Sequence, residues 1–269
     1  MSHGLVAAAA LVLVAVAPTP CSAQIEVETL ELTLGVEPER RSGTFLIRNR
    51  GQTDIPLTID FGDWDRDVTG SNRWYALGTT PGSCGDAFEV FPSSIRVPAG
   101  GEQTVRVSLR NGVESRVCWG AVYVVTPPQQ APSGGGVRME MVVRTAVKLY
   151  LEPRGLSAAV DLDDVRFVAD TAFNDPRSGE RERGAVVANL RSVGALQARI
   201  TGTFEVRTGD NRIVLARAFE DVYVLPSAAR TIAFPTTALS PGRYVGLLVM
   251  RYGGAEDIAA QVLIDIPPS

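Results

Sequence analysis

Apolar and polar residues alternate with a period of two along most of this chain. The pattern is plain in Glu26-Val27-Glu28-Thr29-Leu30-Glu31-Leu32-Thr33-Leu34 and in Gln103-Thr104-Val105-Arg106-Val107-Ser108-Leu109. It returns in Val122-Tyr123-Val124-Val125 and Gln261-Val262-Leu263-Ile264-Asp265-Ile266. Successive side chains of a strand point to opposite faces, so this alternation marks strands with one buried face. Turn-forming clusters separate the runs: Asn49-Arg50-Gly51, Pro98-Ala99-Gly100-Gly101, Pro127-Pro128, Gly209-Asp210-Asn211, Pro241-Gly242 and Gly253-Gly254. No long stretch sustains a helical period. Short strands punctuated at this spacing predict an all-β protein built from sandwiches.

The longest strand pattern runs from Arg138 to Leu151 and stops at Glu152-Pro153-Arg154-Gly155. About seven strand candidates precede that stop, the number an immunoglobulin-like sandwich requires. A second set follows from Leu156 to Ile266. The expected architecture is two immunoglobulin-like β-sandwich domains in tandem, over residues 24–153 and 154–269. The most irregular part of the second set is a polar loop from Phe173 to Arg183, and Leu239-Ser240-Pro241-Gly242-Arg243-Tyr244 reads as a tyrosine corner. The Pro-, Gln- and Gly-rich stretch from Pro127 to Gly136 reads as a hairpin loop.

Residues 1–23 read as a secretory leader. The run from Leu5 to Val16 is apolar and shorter than the roughly 20 residues that span a bilayer. Small residues at Cys21-Ser22-Ala23 place a cut near Ala23–Gln24. Acylation of Cys21 is the minor alternative, disfavoured by Pro20 before it. No other apolar run has spanning length, so the expected location is periplasmic or secreted, with no membrane span.

Composition narrows the function classes. The net charge of −4 offers no basic stripe for nucleic acid. His3 is the only histidine and lies in the leader. That leaves no imidazole for a Ser-His-Asp triad, a Cys-His pair or a histidine metal site, so neither an enzyme nor a metal or cofactor is expected. Asp63-Trp64-Asp65-Arg66-Asp67 has the carboxylate spacing of a calcium loop but lacks its later glycine and glutamate, and reads as a solvated strand end. Asp161, Asp163 and Asp164 read as turn acids. Cys84 and Cys118 remain after the leader, and an even count in an exported chain suggests one disulfide, two buried thiols being the alternative. Trp64, Trp74 and Trp119 read as core, with an exposed sugar-stacking surface as the rival.

One lysine stands against 25 arginines: Lys148, at the end of the Arg138–Leu151 strand. A compact ammonium following an apolar row suits capture of an extended peptide by its terminal carboxylate. A solvated lysine ending a core strand is the ordinary alternative.

Two stretches then resemble the periplasmic pilus (fimbrial) chaperones of the PapD-like type. One runs from Phe88 through Phe91-Pro92, Ile95-Arg96-Val97 and Pro98-Ala99-Gly100 to Val107. The other is Arg144-Thr145-Ala146-Val147-Lys148-Leu149-Tyr150-Leu151-Glu152-Pro153. The resemblance covers the first domain, and the second reads as a generic immunoglobulin-like module. It implies two sandwiches meeting at an angle and a partner, an exported protein subunit or peptide, held by strand addition. Lys148 then anchors a C-terminal carboxylate, and Met139, Met141 and Val143 form the apolar row. The family pairs its lysine with an arginine on the first strand. Thr29-Leu30-Glu31-Leu32-Thr33 holds none, leaving Arg144, on the same face as Lys148, as a substitute. The rival functions are a structural or adhesive envelope protein and a carbohydrate-binding module.

Overall fold

The structure is a computed structural model, and it describes residues 24–113, 117–131, 139–174, 181–236, 239–254 and 256–266. The leader at 1–23 lies outside the described residues. The chain is all-β, two immunoglobulin-like β-sandwiches in tandem.

The first set of strands is β1 (Ile25–Val27), β2 (Glu31–Leu34), β3 (Ser42–Asn49), β4 (Ile55–Arg66), β5 (Asn72–Tyr75) and β6 (Phe88–Phe91), then β7 (Ser94–Val97), β8 (Glu102–Leu109), β9 (Cys118–Val125), β10 (Gln129–Ala131), β11 (Met139–Met141) and β12 (Arg144–Leu151). One sheet has the order β1-β3-β8-β6 and the other β2-β12-β9-β4-β5, with β7 also on β4. The alternation read from the sequence is the burial pattern here. Phe45 and Ile47 of β3, Ile55, Leu57 and Ile59 of β4, Val105, Val107 and Leu109 of β8, and Val147, Leu149 and Leu151 of β12 fill one core. Strand β9 breaks the alternation because both of its faces are covered. Val122 and Val124 face that core, while Ala121 and Tyr123 join a second apolar cluster with Trp64, Tyr150 and Leu225. Gly62 lies beneath the Tyr123 ring, where a Cβ would meet Tyr123 Cε2 at 2.3 Å.

The residues that end strands are held by specific groups. Asn49 is buried, and its Nδ2 donates to the carbonyls of Thr53, Val97 and Pro98 while its Oδ1 accepts from the Gly51 N–H. Gly100 takes φ +65° in the turn before β8, a left-handed conformation glycine adopts without strain. Cys84 and Cys118 form the disulfide, closing a separation of 34 residues and fastening the β5–β6 connection to the start of β9.

The second set is β13 (Val160–Asn174), β14 (Arg181–Ser192), β15 (Ala198–Arg207), β16 (Ile213–Val224), β17 (Ala229–Pro235), β18 (Gly242–Arg251) and β19 (Ile258–Ile266). Its sheets are β13-β14-β17 and β16-β15-β18-β19, around a core that includes Val186, Leu190, Ile200, Phe204, Phe234, Leu248 and Met250. The tyrosine corner is present: the Tyr244 hydroxyl donates to the Ser240 carbonyl at 2.9 Å. Residues 175–180 of the expected loop from Phe173 to Arg183 lie outside the described residues. On either side of them strand pairing continues through Phe173↔Glu182 and Asn174↔Arg181, because ladder bonds are made by the backbone. Asp161 and Asp163 are not turn acids but lie in β13, each paired with Arg191 of β14.

Candidate functional site

Two features of the first domain could engage a partner: the edge formed by β11 and β12, and the outer face of the same sheet.

Strand β12 pairs antiparallel with β9 along its whole length, from Arg144↔Val125 to Leu151↔Cys118. On its other side it pairs parallel with β2, but only from Lys148↔Glu31 to Leu151↔Leu34. Strand β11 pairs with β10 through Gln129↔Met141 to Ala131↔Met139. Among the described residues no strand lies on the remaining side of β11 or of Arg144–Val147. The direction of the unpaired groups follows from the period of two. Lys148 donates its N–H outward to Leu30 O at 2.8 Å, and Thr126 donates inward to Val143 O at 3.0 Å. The backbone groups of Arg144 and Ala146 therefore point to the open side. β2 closes the edge only where Lys148 begins.

The expected unbroken strand from Arg138 to Leu151 is instead two strands with a break at Val142–Val143. The cause lies across the ladder. The Val143 N–H donates to the Thr126 hydroxyl at 3.1 Å, so a side chain takes the place of a backbone partner. The break interrupts the expected row. Met141 and Val143 are both exposed, and so is Val142 between them. Val142 lines a groove of about 390 Å³ with Leu57, Val125, Pro127 and Pro128. The backbone of Met139 sits in register opposite Ala131.

Lys148 is not a lone ammonium. Its Nζ lies 2.7 Å from Glu31 Oε1, and its side chain is 15% exposed. The same Nζ lies 5.1 Å from the centroid of the Trp64 ring. Trp64 is fully buried and packs edge-on against Tyr150, with ring centroids 5.7 Å apart. Burial pushes the Tyr150 hydroxyl well above the usual tyrosine range, and the Glu31 charge adds to that. The surroundings reach into the second set of strands. Leu225 packs in the Trp64 cluster, and the Arg66 guanidinium lies 5.4 Å from the Trp64 centroid and 5.0 Å from that of Tyr223. Hydrogen bonds join the two sets directly: Thr231 N–H donates to Val68 O at 2.7 Å, and the Arg230 side chain donates through Nη1 to the same oxygen at 3.2 Å. Burial lowers the affinity of Arg230 for its proton, with the nearby Arg66 charge as the next cause. Lys148 thus sits beside the junction of the two sandwiches.

Arg144 is on the same face as Lys148, two residue pairs away, but it lines a different feature. With Asp60, Trp74, Tyr75, Leu77 and Tyr123 it borders a groove of about 750 Å³ on the outer face of the sheet. Among the three tryptophans, Trp64 is core as expected. Trp119 is partly buried, with its Nε1 donating to Trp64 O at 3.0 Å. Trp74 is 44% exposed and walls the groove, because β5 is a short edge strand whose residues are all exposed.

The acidic run in β4 is not a solvated strand end. Asp63 is fully buried, accepting from the N–H groups of Thr79 and Thr80 and from the Ser83 hydroxyl. Asp67 caps the β4–β5 turn by accepting from the Thr69 hydroxyl and the N–H groups of Thr69 and Ser71.

No family model matches the chain, and no curated protein matches it in sequence. Solved structures similar to it include the class 5 fimbriae chaperone CfaA, with TM-score 0.48 and 11% identity over 88% of this chain and 98% of that one. The E. coli chaperone DraB has TM-score 0.41 and 13% identity over 90% of this chain and 96% of that one. The Pseudomonas aeruginosa CupB2 chaperone has TM-score 0.41 and 13% identity over 90% of this chain and 100% of that one. Among the described residues, no helix is long and apolar enough to cross a membrane.

Proposed function

We propose that this chain is a non-enzymatic chaperone of exported, pilus-type subunits that acts in the periplasm once residues 1–23 are removed, with its two domains dividing near Pro153–Arg154. It caps a subunit by lending the edge of β11–β12. The observation that carries the reading is that open edge, with the outward backbone groups of Arg144 and Ala146 unpaired by any described strand and Lys148 at its closed end. Natural sheets normally shield such an edge, and an incoming strand supplies the missing hydrogen bonds. A strand laid along Arg144–Val147 in the direction of β2 ends against Leu30 and Glu31, which brings its terminal carboxylate to the Lys148 ammonium. Met141, Val142 and Val143 offer apolar surface beside it.

The test is co-expression with an exported subunit, comparing wild type with Ala146→Pro. Proline removes one outward N–H and no bond to β9, so the variant folds and loses the subunit. Equal capture by the two proteins refutes strand addition here.

The groove walled by Trp74 favours a second reading, a carbohydrate-binding module, since an exposed indole beside Asp60 and Arg144 suits a sugar ring. Glycan binding that Trp74→Ala abolishes and Ala146→Pro spares would establish it instead.

A further inference from the structure

Glu31 stands at the place the proposed partner's terminus would take. It is directly opposite Lys148 in the parallel ladder, at the first residue of β2, where the open edge ends. Its Oε1 is 2.7 Å from Lys148 Nζ. An ammonium has three donors. Glu31 engages one, and the Trp64 ring lies on another side of the nitrogen, 5.1 Å from centroid to Nζ. A second carboxylate arriving there meets an ammonium already neutralised and a like charge beside it, and two carboxylates sharing one site repel. Tyr150 and Tyr223 both sense its charge, and burial raises both hydroxyls above their ordinary value.

We infer that Glu31 is a specificity-determining residue of the edge: a resident carboxylate that a partner's C-terminus must displace from Lys148. The inference rests on the strand-addition reading and adds to it. Lys148 alone favours any chain ending in a free carboxylate. With Glu31 in place that advantage is reduced, and partners are selected chiefly by the strand they add along Arg144–Val147. The pair is partly exposed, so its strength is that of a surface ion pair and can be exchanged.

Lys148 is the only lysine in the chain, so labelling lysine with ¹⁵N gives one side-chain ammonium signal and a direct report of what it holds. The probes are two ten-residue peptides of alternating valine and threonine, one ending in a free carboxylate and the other in an amide. Wild type, Glu31→Gln and Lys148→Met are compared in the full mature chain, with backbone spectra verifying each fold. The free-acid peptide is expected to bind Glu31→Gln about two- to fivefold more tightly than wild type, the range a surface ion pair implies. The amidated peptide binds both equally, and Lys148→Met does not distinguish the two peptides. The ammonium signal of Glu31→Gln moves with the free acid only. If the free acid binds Glu31→Gln no more tightly than wild type while both peptides still bind, the role of Glu31 falls and strand addition stands. If neither peptide binds any form, the edge reading fails and this inference with it.

Discussion

Trp64 connects the two features that matter most at the level of single residues. Its ring is fully buried against Tyr150 and at the same time lies beside the Lys148 ammonium. Removing it leaves a cavity and takes an aromatic face away from a half-shielded cation. Trp64→Ala is expected to cost about 3–5 kcal/mol in chemical denaturation. A few residues on, Asp67 carries a pH signature. Its carboxyl is held down to about 2, first by the Thr69 hydroxyl and then by the N–H groups of Ser71 and Thr69. A folded pKa below the ordinary 3.8 means that its contribution is fully present above that value and is lost as the pH falls through about 2. In an NMR titration the Asp67 carboxyl is expected near 2, moving up toward the ordinary range in Thr69→Ala. Neither role was legible in the acidic run itself. Alternation marks which face a residue takes, but Asp63 and Asp67 share a face and spacing, and only the loop folding back through Thr79, Thr80 and Ser83 decides that the first is buried. Lys148 stood out by composition; that Glu31 faces it did not, since a parallel pairing between distant strands leaves no local trace in sequence.

Among the elements, the strands followed the alternation closely wherever one face met a core, as in β3, β8 and the first half of β4. The alternation failed where a partner from elsewhere took over. β9 reads as a continuous apolar run because its outer face is covered by the Trp64 cluster. The break at Val142–Val143 was hidden because it depends on the Thr126 hydroxyl, which belongs to the segment following β9. Thr126→Val deletes that acceptor while keeping the shape. The expected outcome is a loss of roughly 0.5–1.5 kcal/mol, the net worth of one hydrogen bond at a partly exposed N–H, measured as a lower unfolding midpoint. The disulfide was correctly suggested by the cysteine count alone. Its closed stretch of 34 residues predicts that replacing Cys84 and Cys118 together by alanine costs about 3–4 kcal/mol in the chain-entropy account. Mass mapping of the unreduced protein verifies the link.

For the molecule as a whole, the two-sandwich organisation was legible because each set of strands carries its own apolar faces. The junction was not, because its contacts are few and scattered: Val68 with Arg230 and Thr231, Arg66 between Trp64 and Tyr223, and Leu225 in the Trp64 cluster. Leu225 is almost wholly buried there. Leu225→Asp places a charge with no partner in that contact, and calorimetry is expected to separate a single unfolding transition into two. A different consequence follows from β2. Strand β1 belongs to one sheet and β2 to the other, so the chain changes sheets between Val27 and Glu31. The pairing of β2 joins residues 117 positions apart, as far as Glu31 is from Lys148. A contact that distant is among the last to form, whereas hairpins and the shorter disulfide loop close earlier. Until β12 arrives, β9 has an open edge of its own, and β2 has no strand to pair with. Once β12 has paired with β9, its outer edge is open from Arg144 to Leu151 until β2 docks, so the free edge is cut back to Arg144–Val147 only on completion of the first sandwich.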